Sequence, residues 1–205
     1  MDEVVDDPRY KEPFAGWHAS IADPEGRSPA SVRQKYRKGR DGVTGTEQLA
    51  AALKRYPELD DSTVLTCIEC PVHIIADYHC PAHVRYTDAR NEGKFGVTFF
   101  GRPTTLHKLL DSGIIVRHHS DWDCHRYADA LDGASVREIR RMTRGSYRRW
   151  FEDVARDVRP SIDCAAPGDA LGEEFMEQSA PLAEKELRKA AYRLAAALNR
   201  IFGKQ

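Results

Sequence analysis

The sequence predicts a single all-α domain, and three observations together support this prediction. Apolar residues recur every three to four positions over most of the chain, which is the spacing that places side chains on one face of a helix. The chain has 205 residues, of which 41% are hydrophobic and 31% are charged, as in an ordinary globular domain. It contains no internal repeat or break in composition. We therefore assign residues 1–205 to one domain.

Two helices are predicted between residues 44 and 80. Thr44 and Glu47 have the spacing of a capping box at the start of the first helix, and Pro57 ends it. Asp60 or Asp61 caps the second. The apolar positions that define the two helices are Leu49, Ala52, Leu53, Tyr56, Val64, Leu65, Ile68, Val72 and Ile75.

The middle of the chain is polar, and its alternating stretch, residues 95–100, predicts a short hairpin or extended loop near residues 88–104. Helices are predicted again over residues 120–131, 135–142 and 146–158, followed by a loop that contains Pro160. The last helix is the clearest. Its predicted apolar stripe consists of Leu187, Ala190, Ala191, Leu194, Ala195, Leu198, Ile201 and Phe202.

Charge and hydropathy exclude some functions. The 31 Lys and Arg residues balance 32 Asp and Glu residues, so any binding of nucleic acid must depend on local charge. The sequence has no apolar run that could span a membrane, and its acidic first residues do not resemble a signal peptide. These features predict either a cytoplasmic chain or one whose beginning is missing.

Five cysteines do not fit a dense disulfide framework. Cys67 and Cys70 have the spacing of half a zinc clip, but no second such pair follows, and burial as small apolar side chains is the favoured interpretation. A bridge between Cys124 and Cys164 would require export to an oxidising compartment.

The most informative pattern consists of two His/Asp pairs. His73 and Asp77 are four residues apart, as are His107 and Asp111, and this spacing places both members of a pair on one face of a helix. His and Asp ligands favour a hydrolytic zinc site, because they leave room for water. His83 follows a bend at Pro81 and is expected to point back towards the same cavity, whereas His79 points away and is interpreted as structural.

Two other polar clusters receive a simpler interpretation. His118, His119 and His125, with Asp121 and Asp123, could form a second metal cluster, but we favour a solvated helix start capped by Ser120 or Asp121. The arginines of residues 137–149 could contact a phosphate backbone. We favour an exposed helix face interleaved with core contacts.

Two segments resemble a known family. Residues 73–84, HIIADYHCPAHV, and residues 99–115, FFGRPTTLHKLLDSGII, resemble the two metal-binding motifs of the zinc-dependent single-strand nucleases and 3′-nucleotidases of fungi and plants. Weaker similarities at Trp17-His18, residues 171–175 and residues 191–201 extend the resemblance along the chain. The resemblance implies the multi-helix fold that this family shares with zinc-dependent phospholipase C. It also implies that the chain is secreted or periplasmic.

The resemblance implies a cluster of up to three zinc ions, with two sites largely retained here. Asp77 would bind the first zinc together with His18 and His73, bridge to a neighbouring metal and be catalytic. Asp2 would complete the first site, although Asp6 or Asp7 could compete. Three further residues, His83, His107 and Asp111, would bind the more distant zinc. Ser112 would contact a base, and Asp88, Asp121 and Asp123 are candidates to orient the histidines.

One departure from the family pattern leaves the activity open. Family members begin with a tryptophan and a nearby histidine that bind the third zinc, and only sixteen residues precede Trp17 here. A missing start, a wrongly assigned gene start and a degenerate site are all open, and without the third zinc the resemblance implies reduced or absent activity. Three hypotheses follow: a zinc-dependent phosphodiesterase acting on single-stranded DNA, RNA or nucleotides, a zinc phospholipase C, or a non-catalytic metal-binding remnant. No stable protein partner is predicted.

Overall fold

The computed structural model describes residues 16–36, 40–88 and 94–203, and most of these residues are helical. The all-α prediction is confirmed. Asp2, Asp6 and Asp7, the candidates for the last ligand of the first zinc, lie outside the described residues.

The first half of the described chain contains three helices, α1 (Ala30–Lys35), α2 (Gly42–Leu53) and α3 (Asp61–His79). Asp60 caps α3 by accepting a hydrogen bond from the amide of Thr63, as predicted. The capping box predicted at Thr44 is wrong. Asp41 is the N-cap of α2, because its buried carboxylate accepts hydrogen bonds from the amides of Val43 and Thr44, and the helix therefore begins earlier.

Two short parallel strands bring distant parts of the chain together, and the sequence pattern did not predict them. Strand β1 (Ser20–Ala22) pairs with β2 (Val84–Tyr86), with Ser20 opposite Val84. A 3₁₀ turn, Pro81–His83, connects the end of α3 to β2 and forms the predicted bend. Because His18 and His83 lie just before these paired strands, the pairing places the two histidines beside each other.

The predicted hairpin is present. Strand β3 (Gly96–Phe99) pairs antiparallel with β4 (Arg102–Thr105), and β5 (Ala170–Leu171) adds a parallel strand on the other side of β3. The hairpin turn uses Phe100 and Gly101 at φ values of 48° and 75°. Glycine adopts this left-handed conformation without the steric cost that other residues have.

A helical run follows β4 directly. It consists of α4 (Leu106–Lys108), a π-helical turn (Leu109–Gly113) and α5 (Ile114–His118). Single π turns inside α-helices are frequent at functional sites. Here the π turn contains Asp111, and His107 lies in α4 immediately before it.

The remaining helices differ from the predicted segments at their ends. The structure has α6 (Cys124–Leu131), α7 (Val136–Met142), α8 (Tyr147–Asp163) and α9 (Glu173–Phe202). The prediction that Ser120 or Asp121 caps α6 is wrong, because Asp123 is the N-cap. Pro160 lies inside α8 rather than in the following loop, which lengthens that helix.

The core consists of two apolar clusters. The first lies between α2, α3 and α8 and includes Leu53, Tyr78, Trp150 and Phe151. The second lies under the hairpin and the helical run from α4 to α5, with Leu106, Ile114 and Phe175 among its members. His73, Asp77, His83 and Asp111 lie on segments that border these clusters.

The buried face of α9 differs from the predicted apolar stripe. Leu187 is 42% exposed, and Ala191 and Ala195 are also exposed. Ala190 of the predicted stripe is buried, but the helix also buries the charged residues Glu186, Lys189 and Arg193. The arginines of residues 137–149 are exposed, as predicted, and Trp150 and Phe151 are buried beside them. None of the helices in the described part of the chain is long and apolar enough to cross a bilayer.

Candidate metal centre

Three side chains converge on one point at the end of α3. The Nδ1 atom of His18 lies 3.1 Å from Oδ2 of Asp77, and Nε2 of His73 lies 3.0 Å from the same oxygen. The two nitrogens are 2.9 Å apart. His73 and Asp77 come from adjacent turns of α3, as their spacing predicts, whereas His18 is supplied by the segment before β1. We call these residues the first group.

Hydrogen bonds alone satisfy this triangle poorly. An imidazole N–H lies in the plane of its ring and points in one direction, so it cannot serve two acceptors equally well. The donor atoms of a tetrahedral zinc site with bonds of about 2.0–2.2 Å lie about 3.3–3.6 Å apart. The three distances of the first group are only a few tenths of an ångström shorter than this. The residues present therefore fit a metal ion.

The electrostatics of Asp77 favour its ionised form. Burial raises the pKa of this carboxyl, but the hydrogen bonds of His18 and His73 and the nearby His83 outweigh that effect and lower the pKa below its usual value. A ligand carboxylate must be deprotonated to bind a cation. Asp77 is therefore ready to act as a ligand.

A second group lies where the 3₁₀ turn meets the π turn. His83 Nε2 lies 3.2 Å from Oδ1 of Asp111, and the ring of His107 stands beside that of His83 with the centroids 5.5 Å apart. The three residues that resemblance assigns to one zinc are thus brought together from the 3₁₀ turn, α4 and the π turn. We call His83, His107 and Asp111 the second group.

Cys80 also approaches Asp111, and the sequence analysis did not consider it as a ligand here. The donor atoms of Cys80, His83 and Asp111 lie within 4.8 Å of one another. Burial and the charge of Asp111 raise the pKa of the Cys80 thiol, so this group stays protonated and is a poor ligand. Its Sγ donates to the carbonyl of Leu110 at 3.4 Å. His107 is the better third ligand, since its buried Nδ1 has no hydrogen-bond partner among the described residues.

The second group has opposite pKa shifts in its two histidines. Burial opposes the protonation of His83, but the hydrogen bond with Asp111 and the charge of Asp77 outweigh it and raise the pKa. Burial and the neighbouring His83 and Arg85 lower the pKa of His107. The hydrogen bond with His83 lowers the pKa of Asp111. The group therefore combines an ionised carboxylate with a neutral imidazole.

His79 has a structural role, as its position predicted. It is buried, and its Nε2 lies 2.9 Å from the guanidinium of Arg193, which can only donate. Nδ1 must therefore carry the proton and donate to the carbonyl of Ile75 at 2.7 Å. Burial and the charge of Arg193 lower the pKa of His79 to about 3.

The acidic residues proposed to orient the histidines do not do so. Asp88 forms a bidentate pair with Arg159, Asp121 pairs with Arg126, and Asp123 caps α6. His83 is held instead by the backbone, since its Nδ1 lies 2.7 Å from the carbonyl of His18. Sequence reasoning missed this partner because a backbone carbonyl leaves no residue-type signal.

The structure also gives the exposure of Ser112 and the state of four of the cysteines. Ser112 is exposed and lines a groove of about 210 Å³ together with Asp111. Cys67 and Cys70 are buried in α3, as favoured by the sequence. Cys124 and Cys164 are free and exposed, so the bridge considered between them is absent.

The fold and the site define a helical protein with two histidine-carboxylate groups that could hold metal ions. The family model described as S1/P1 Nuclease matches residues 1–203. The chain therefore belongs to the S1/P1 nuclease family, and so to a family of hydrolases. The resemblance seen in the two motifs is confirmed.

Similar proteins include nucleases from plants and fungi. The chain is 28% identical to Endonuclease 2 of Arabidopsis thaliana over 148 residues, which cover 64% of this chain and 50% of the relative. It is 28% identical to Nuclease S1 of Aspergillus oryzae over 167 residues, which cover 68% of this chain and 55% of the relative. The chain spans about half the length of the curated relatives it matches.

Proposed function

We propose that this chain is a zinc-dependent phosphodiesterase that cuts single-stranded nucleic acid internally and also removes 3′-phosphates from nucleotides. The first group would hold one zinc, and the second group would hold another. The observation that carries the proposal is the convergence of His18, His73 and Asp77, whose ligand atoms are 2.9–3.1 Å apart. The names of the relatives, Endonuclease 2 and Nuclease S1, support nucleic acid as the substrate.

The choice of zinc depends on the donor set. Neutral imidazoles and carboxylates suit zinc, whereas magnesium and calcium prefer oxygen ligands alone. When bound, zinc supplies Lewis-acid activation of water and neutralises charge that develops on a phosphate. Asp77 would contribute the ionised carboxylate of the first group. Asp111 would contribute that of the second.

Positive side chains near the second group suit a phosphate substrate. Arg85 and Lys94 lie close enough to His107 for their charges to lower its pKa. The balanced overall charge of the chain supplies no general attraction for nucleic acid, so such local charge must provide it. Ser112 is exposed next to Asp111 in the chain and would contact a base. We also propose, from the family, that the protein is secreted or periplasmic.

A comparison of four proteins tests the proposal. The wild type, His73→Ala, His107→Ala and His125→Ala are assayed for release of nucleotides from single-stranded DNA, and zinc content is measured by mass spectrometry. His125 is an exposed histidine outside both groups, so its variant controls for the loss of any histidine. We expect His73→Ala and His107→Ala each to lose zinc and at least ~100-fold in rate, since each removes a ligand.

Two outcomes would contradict the proposal. Unchanged hydrolysis in both His73→Ala and His107→Ala would show that neither group takes part in the reaction. Release of phosphocholine from phosphatidylcholine, with no cleavage of single-stranded DNA, would assign the site to phospholipid instead. Zinc binding without hydrolysis of either substrate would identify a metal-binding protein without this activity.

A further inference from the structure

We propose that His118, His119 and Glu184 form a separate binding site for a divalent transition-metal ion. We call it the α5–α9 site, because the two histidines lie at the end of α5 and the carboxylate lies in α9. It shares no residue with the first or second group. The sequence pattern indicates both histidines as a candidate cluster but not Glu184, which is far away in the chain.

The geometry brings three ligand atoms to one place. Oε1 of Glu184 lies 3.3 Å from Nε2 of His119 and 3.8 Å from Nε2 of His118. All three atoms lie within 4.8 Å of one another. These separations are close to the spacing of about 3.3–3.6 Å between the ligands of a tetrahedral zinc ion.

The carboxylate oxygen that faces both imidazoles is unsatisfied. Oε1 of Glu184 is shielded from solvent and has no hydrogen-bond partner among the described residues. The Nε2 atoms of His119 and His118 lie 3.3 Å and 3.8 Å from it, but neither forms a hydrogen bond with it. A buried acceptor without a partner costs about 1–3 kcal/mol. A cation placed among the three atoms would satisfy this oxygen and both nitrogens together.

The ring of His119 is held in place by its neighbours. It stacks on Trp122 with the centroids 3.7 Å apart and an angle of 8° between the planes. Tyr127 packs against it edge-on at 5.6 Å, and the hydroxyl of Tyr127 donates to the carbonyl of Ile115. The aromatic contacts therefore orient His119 before any ion binds, which lowers the entropic cost of binding.

The ligand set determines the class of metal. Two imidazoles and one carboxylate suit Zn²⁺, Ni²⁺ or Cu²⁺, and they do not suit Mg²⁺ or Ca²⁺, which prefer oxygen ligands alone. The side chains of His118, His119 and Glu184 are 33%, 29% and 21% exposed, so an ion can enter from solvent. Once bound, it would join the end of α5 to α9.

Metal content and tryptophan fluorescence test the site on the full chain. We expect Glu184→Gln and His118→Ala each to contain one zinc equivalent less than the wild type, with unchanged cleavage of single-stranded DNA. Titration with Ni²⁺ should quench the fluorescence of Trp122, which stacks on a ligand. Glu184→Gln should weaken that quenching at least ~10-fold, since it removes the only charged ligand. Trp122→Phe should abolish the signal.

Matched variants separate this site from the proposed active site. His125→Ala removes an exposed histidine of the neighbouring helix α6 and should leave both zinc content and quenching unchanged. His73→Ala should lose zinc from the first group yet retain the Trp122 signal. If Glu184→Gln and His118→Ala, both folded by circular dichroism, keep the wild-type zinc content and quenching, the α5–α9 site does not exist.

Discussion

The Nδ1 atom of His83 lies 2.7 Å from the backbone carbonyl oxygen of His18, a residue 65 positions earlier in the chain. The hydrogen bond joins a member of the second group to a member of the first. The parallel pairing of β1 and β2 holds the two residues in this position. Because Nδ1 donates to the carbonyl, Nε2 is left facing Asp111 as a potential ligand. One contact thus orients a candidate ligand and connects the two groups.

His83→Ala should therefore affect both groups. We expect it to lower zinc affinity at the second group by at least ~10-fold and to weaken the first group less, through the loss of support for the His18 segment. Zinc titrations of the wild type and the variant measure both effects. His83→Asn is the matched variant, because an amide can retain the hydrogen bond to the carbonyl of His18. If both variants bind zinc at the first and second groups as tightly as the wild type does, the assigned role of His83 is wrong.

Asp77→Asn tests whether the negative charge of Asp77 is needed for metal binding and activity. The substitution keeps the shape of the side chain but removes the charge that the neighbouring histidines stabilise. We expect cleavage of single-stranded DNA to fall at least ~100-fold and zinc content to drop, because a neutral amide binds zinc poorly. Removal of metal from the wild type with a chelator should produce the same loss, and added zinc should restore activity only in the wild type. Equal activity of Asp77→Asn and the wild type would exclude Asp77 from the reaction.

Arg193 should matter for stability rather than for catalysis. Its buried guanidinium donates to His79, to the carbonyls of Trp150 and Met142, and to Asp153. Arg193→Met removes the guanidinium from these acceptors, although Asp153 keeps its contact with Lys189, and we expect a loss of about 3 kcal/mol in the free energy of unfolding, measured with urea. Arg200→Met is the control. Arg200 lies on the same helix and also donates to carbonyls, but it is exposed, so its variant should stay close to the wild type.

Glu186 should make stability depend on pH. Burial raises the pKa of its carboxyl to about 7, although Lys189 opposes the effect. The group faces Lys189 at 2.9 Å, and Lys189 also contacts Asp153 and Asp157. An ordinary glutamate in the unfolded chain titrates near pH 4.3, about three pH units lower than this. Between these pH values the native state binds more protons than the unfolded chain does. The contribution of Glu186 to stability is therefore full below about pH 4.3 and is lost as the pH rises through 7.

Glu186→Gln should remove that loss. We expect the free energy of unfolding of the variant minus that of the wild type to be larger at pH 8 than at pH 5 by about 1–3 kcal/mol, so that the variant gains relative stability at pH 8. Urea unfolding of both proteins at the two pH values measures the difference. Glu177→Gln, at an exposed position of the same helix, should show no such difference. An equal difference in the two variants would mean that the effect does not arise from the burial of Glu186.

The two caps of α2 and α3 can be compared directly. Asp41 is fully buried and accepts from two amides and from the hydroxyl of Thr44, whereas Asp60 is exposed. We expect Asp41→Ala to cost about 2–3 kcal/mol in the free energy of unfolding, because it removes a cap and leaves buried amides unsatisfied. Asp60→Ala should cost less, since water can replace the lost partner. If Asp41→Ala and Asp60→Ala lower the free energy of unfolding by similar amounts, in thermal or urea unfolding, burial does not strengthen the Asp41 cap.

Local patterns predicted much of the structure. The spacing of His73 and Asp77 placed both on one face of α3, and Pro81 predicted the bend before His83. The alternation near residues 95–100 predicted the hairpin. Each of these features depends on neighbours within a few positions, where the geometry of helices and strands is fixed by the backbone. The capping box at Thr44 failed because Asp41, three residues earlier, is a stronger acceptor.

The apolar stripe of α9 shows where local patterns fail. Its spacing correctly predicted a helix, but the choice of buried face depended on what packs there. Lys189 and Arg193 are buried because Asp153 and Asp157 on α8 supply their partners. Glu184 was missed for the same reason, since its neighbours His118 and His119 lie on another helix.

The sequence by itself determined the helical fold class and the pairing of His73 with Asp77 and of His107 with Asp111. It also carried the resemblance that the family match confirmed. Only the tertiary structure decided that His18 joins His73 and Asp77, that the backbone orients His83, and that Glu184 meets two histidines. The reason is physical. Residues four positions apart on a helix are neighbours in any fold, but residues far apart meet only when strand pairing and core packing bring their segments together.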